Sequence, residues 1–161
     1  MFELKREQLI HSDLKTVWTF FSSPINLSEI TPPELDFRII TETEDTVYEG
    51  MEIEYRVKPV LGIPVKWISL IKDVDVPFAF TDEQLTGPYK VWIHKHEFSE
   101  TNNGVLVKDH IQYQLPFGIL GTYLEKIIVR KKLTEIFNFR SKIIKNIFPE
   151  SKIPEFELKN I

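Results

Sequence analysis

The sequence predicts an α+β domain in which a curved antiparallel sheet of about six to seven strands wraps around one long C-terminal helix, with two short helices after the first strand. Three observations predict it. Segments of alternating apolar and polar residues recur from Leu35 to Leu115, with turn residues between them. From Ile119 to Phe148 there is no Pro, and no Gly after Gly121, as a single long helix requires. Between the first strand and Pro33 lie two short helical patterns. A run of strands followed by one terminal helix is an α+β layout.

The elements follow in order. Phe2 to Ile10 alternates and reads as a strand. Ser12 is placed to cap a helix starting at Asp13, with Leu14, Val17, Trp18 and Phe21 at helical spacing. Pro24 opens a second short helix carrying Ile25, Leu27 and Ile30, which Thr31-Pro32-Pro33 ends. Leu35, Phe37 and Ile39 alternate with Asp36 and Arg38 as a strand; Ile53, Tyr55 and Val57 do so with charged neighbours. Val65 to Val74, Phe78 to Leu85, Tyr89 to Phe98 and Val105 to Leu115 complete the strands, with a hairpin signal at Asn103-Gly104. The apolar residues of the long helix fall in two phases. Leu120, Tyr123, Leu124 and Ile127 lie on one side; Leu133, Ile136, Phe137, Ile144 and Ile147 lie nearly opposite. A kink near Val129 to Lys132, or burial of opposite faces against different neighbours, would reconcile them.

At 161 residues, residues 1–148 are long enough for one domain with its own core, followed by a tail at 149–161. Apolar residues make up 42% and charged residues 27%, ordinary for a water-soluble chain. A net charge of −4 argues against nucleic-acid binding by charge, and the absence of Cys removes thiol chemistry and disulfides. No apolar leader or spanning run is visible, so the expectation is a cytoplasmic protein with no integral membrane segment. No Gly-rich phosphate loop, G-x-S-x-G or H-E-x-x-H occurs, and no cofactor is expected.

The chemistry concentrates in one strand. In Tyr89 to Phe98, Trp92, His94, His96 and Phe98 share a face, while Val91, Ile93, Lys95 and Glu97 share the other. On the next strand Asp109 points the same way as Val107, Ile111 and Tyr113. Because the two strands flank Asn103-Gly104, Asp109 is within reach of a histidine. Two readings fit: an acid–base pair or hydrogen-bonding floor in a cavity, or a buried polar network that fixes strand pairing. His94 and His96 at i, i+2 could share a metal only with a third ligand such as Asp109 or Asp82, and no metal is expected. Asp82 and Gln84 share the face of Phe78 and Phe80, and would be polar groups in an apolar cavity if that face is inward. Tyr55, Trp67, Trp92 and Tyr113 are expected wall residues.

Two surface features also call for partners. Pro59 to Pro64 is an apolar hairpin tip, either a gate over a cavity mouth or a loop packed on the helix or on a second copy. Lys126, Arg130, Lys131, Lys132, Arg140, Lys142 and Lys145 make the long helix basic, read as a solvated face or an anionic-surface contact.

Several strings resemble the SRPBCC superfamily, the START-like helix-grip proteins. They are Leu27 to Pro32, Trp67 with Ile71, Phe80 to Gln84, Gly87-Pro88-Tyr89 with Trp92 to Phe98, and Asp109 to Tyr113 followed by Pro116-Phe117-Gly118. The resemblance covers nearly the whole chain and is similar to the bacterial stand-alone branch described as polyketide cyclase/dehydrase-like. That superfamily includes ring cyclases, lipid-transfer domains and plant hormone-binding allergens. The resemblance implies a hydrophobic small molecule or lipid as partner, held between sheet and helix. The residues expected to line that site are Tyr55, Trp67, Phe80, Gln84, Trp92, His94, His96, Asp109, Tyr113 and Phe137. A cyclase or dehydratase using a His/Asp acid–base pair, with His94, His96 and Asp109 as candidates, is the alternative, and a protein or membrane interaction module is a third. One scaffold hosts all of these, so the site must decide.

Overall fold

The computed structural model describes residues 1–59 and 62–149. The elements are β1 (Phe2–Ile10), α1 (Leu14–Phe21), α2 (Asn26–Glu29), β2 (Arg38–Ile39), β3 (Glu52–Val57), β4 (Val65–Asp75), β5 (Ala79–Thr86), β6 (Val91–Thr101), β7 (Gly104–Gln114), α3 (Gly118–Leu124) and α4 (Arg130–Ile147). The seven strands make one sheet in the order β1-β7-β6-β5-β4-β3-β2, every pair antiparallel. The chain therefore builds the sheet by successive antiparallel neighbours from β2 to β7, and β1 pairs with β7 at the other edge. The edge at β2 is blunted by brevity, since that strand has only two residues.

Period-two burial follows the sequence. On β6, Trp92, His94, His96 and Phe98 are buried, and on β7 so are Val105, Val107, Ile111 and Tyr113. The β6–β7 hairpin turns within Thr101 to Gly104 as expected, with Thr101 pairing Gly104 across Asn102 and Asn103. Gly104 has φ +131°, and a Cβ there would run into the Ile10 carbonyl of β1, so the tight approach of β1 to this turn needs glycine.

Three local expectations are corrected. Asp13, not Ser12, caps α1: its carboxylate accepts from Thr16 N at 2.9 Å and from the Thr16 hydroxyl at 2.7 Å, and two acceptor oxygens can serve both donors. The strand expected over Leu35, Phe37 and Ile39 shrinks to Arg38–Ile39. Pro33–Leu35 forms a 3₁₀ turn instead, and Asp36 ends it in a left-handed conformation. Phe78 is half-exposed rather than inward, because its N–H donates to Asp75 O in the turn before β5. Of the hairpin tip at 59–64, Val60 and Leu61 lie outside the described residues, as do residues 150–161 of the tail; Ile63 is exposed.

The long helix resolves its two apolar phases by a change of winding. Between α3 and α4, Glu125–Val129 is π-helical. A wider turn advances fewer degrees per residue than the 100° of an α-helix. Gly121, Glu125, Val129, Leu133 and Phe137 can therefore all face inward. The other phase is not buried against a second neighbour: Leu120, Tyr123 and Ile127 are exposed. Two contacts set which phase wins. A Cβ on Gly121 would meet the Pro116 carbonyl, and the fully buried Glu125 accepts from the Tyr113 hydroxyl at 2.8 Å and from Arg130 Nε at 2.8 Å. No described helix is long and apolar enough to cross a membrane.

Candidate functional site

β4, β5 and β6 turn their inward side chains toward α4, and a cavity of about 170 Å³ lies between them. Its walls are largely aromatic. Trp67 stacks on Tyr55 with centroids 5.8 Å apart and meets Trp92 edge-on at 5.4 Å. Phe80 stacks on His96 at 4.4 Å, and Phe137 of α4 closes on His94 edge-on at 5.7 Å. Leu27 and Ile30 contribute from the α2 region, and Leu133 and Ile136 from α4.

A polar patch sits in these walls. Strand register explains it: Asp109 pairs directly with His96, His94 pairs with Ile111 and with Asp82 on the other side, and diagonal neighbours on one face are within reach of long side chains. His94 Nε2 is 2.7 Å from Asp109 Oδ1, in hydrogen-bond geometry. His96 Nδ1 lies 3.0 Å from the same oxygen but is not aimed to bond it. Burial pushes the His94 imidazole down to about 3, helped by His96 and opposed by Asp109, so the ring is neutral and donates. Burial raises Asp109, but the histidines outweigh it and hold the carboxyl well below its usual range. His94, His96 and Asp109 each offer one ligand atom, all within 4.8 Å of one another, and are the described residues that could hold a metal.

The expected lining residues divide. Tyr55, Trp67, Phe80, Trp92, His94, His96 and Phe137 line the cavity. Asp109 stands behind the histidines, and Tyr113 turns its hydroxyl to Glu125. Gln84 closes the β5–β6 connection, donating to Tyr89 O at 2.7 Å and accepting from Tyr89 N at 3.3 Å. From its place in β5 it braces the turn that follows, because its amide matches both backbone groups. Asp82 does line the cavity; burial pushes its carboxyl up, against the Ser69 hydroxyl, His96 and Arg140.

Among the lining residues that escaped the sequence reading, Ser69 and Arg140 bear most on the chemistry. Ser69 accepts from Trp67 Nε1 at 3.1 Å and shares a 2.9 Å hydrogen bond with the Tyr55 hydroxyl. Its signal was a small polar residue two places from Trp67. Arg140, assigned to the solvated basic face, lines the cavity instead. Its signal was its place seven residues after Leu133 and three after Phe137, on the buried stripe. Its guanidinium lies over the Phe137 ring, 5.0 Å from the centroid. Lys126, Lys131, Lys142 and Lys145 remain exposed, as expected.

A seven-stranded antiparallel sheet holding a C-terminal helix, with short helices after the first strand, is an α+β helix-grip arrangement. No family model and no curated protein matches the chain; solved structures do. It is similar to a START superfamily protein from Mycobacterium smegmatis (10% identity, 91% of this chain and 96% of that one, TM-score 0.65). It is also similar to ginseng major latex-like protein 151 from Panax ginseng (15%, 92% and 97%, 0.66), and to protein Ms6760 from Mycobacterium smegmatis (14%, 90% and 92%, 0.64). At these identities the likeness is one of fold.

Proposed function

We propose that the protein binds a compact hydrophobic small molecule, as carrier or sensor, in the cavity between its sheet and α4. The observation that carries this reading is the cavity itself, about 170 Å³ and walled by Tyr55, Trp67, Phe80, Trp92 and Phe137. Rings fixed by contact with one another form a surface already shaped for an apolar guest. The volume is below the roughly 300–1,000 Å³ of common drug-sized sites, which favours a ligand on the order of one or two rings or a short chain. A neutral His94 pushed down to about 3 is a weak base at neutral pH, which supports binding over proton transfer.

Native mass spectrometry of freshly purified protein, followed by solvent extraction, tests the reading. An apolar small molecule released from the protein is the expected result. A clean mass, together with no thermal shift from a panel of compact hydrophobic compounds, would overturn it.

A further inference from the structure

Resting on that reading, we propose that the ligand is a hydrophobic acid whose carboxylate is received by Arg140 inside the cavity. α4 delivers this guanidinium on the same stripe as Leu133 and Phe137, and the Phe137 ring supports it from one side. Its Nε has no exposed surface and no hydrogen-bond partner among the described residues, and no carboxylate there lies within ion-pairing distance of it. A buried donor left unmet is costly, and a planar guanidinium fork fits a carboxylate with two parallel hydrogen bonds.

The protein's own carboxylates do not take this place. Asp109 is engaged by His94. Asp82 lines the same cavity with Oδ1 buried and unpaired, and burial pushes its carboxyl up, toward the protonated form that can donate to a ligand carboxylate. A cationic head group meets Arg140 directly, and a neutral apolar one would leave Nε without a partner.

The test compares matched pairs by calorimetric titration: naphthalene-1-acetate and decanoate, each against its methyl ester. The wild-type protein should bind each acid about tenfold or more tighter than its ester. In Arg140→Met the acid-to-ester ratio should fall to about one, and Arg140→Lys should keep part of it. Equal binding of acids and esters by the wild type would overturn the inference while leaving the cavity a ligand site. Binding of neither would overturn both. The wild-type comparison decides even if a variant does not fold.

Discussion

His94 and Asp109 are joined by a 2.7 Å hydrogen bond across the β6–β7 ladder, with the imidazole neutral and the carboxylate charged. This bond gives stability a defined pH dependence. The folded His94 is pushed down from 6.5 to about 3 by burial first. Between those values the unfolded chain binds a proton that the folded one does not, so stability is full above 6.5 and falls as pH drops toward 3. Asp109, depressed in the fold, adds a loss in the same direction below its unfolded value of 3.8. Urea unfolding should show a loss on the order of 3 kcal/mol between about pH 6.5 and 4, reduced in His94→Gln. A flat wild-type profile would contradict the buried neutral ring.

Tyr113→Phe should destabilise the protein by about 1–3 kcal/mol. The change removes one donor from Glu125, which is fully buried and keeps only Arg130. Urea unfolding at neutral pH measures it, and no change would mean that the π-helical segment is not anchored there.

Arg140→Met, studied without added ligand, should change stability by less than about 2 kcal/mol, because the unmet Nε donor is removed while the attraction of the guanidinium to Asp109 and Asp82 is lost. Denaturant midpoints compared at constant slope give the answer. A large loss would show that the guanidinium holds the fold through its neighbours.

Gly104→Ala should cost roughly 2 kcal/mol or more, since φ is +131° and the new methyl meets the Ile10 carbonyl. Thermal unfolding checks this, and a neutral result would imply that β1 can move away from the hairpin.

The sheet was legible because period two is local: each of β3, β4, β6 and β7 alternates within its own residues. The His94–Asp109 contact was legible because one hairpin turn fixes the register of both strands. Arg140 was not, because its charge outweighed its position in a reading by composition, and only the packing of α4 on the sheet shows where it points. Gln84 misled for the opposite reason. Its strand face was readable, but the backbone groups of Tyr89 that occupy its amide lie across a turn.

The π-helical turn at Glu125–Val129 takes up one residue more than an α turn would. Deleting a single residue there would let ordinary α winding resume with Phe137 and Arg140 still facing the sheet. Resuming α winding at unchanged length would instead turn both away from the sheet by roughly 100°. The wider turn is therefore what lets a chain one residue longer than an α-helix needs keep its binding wall in register.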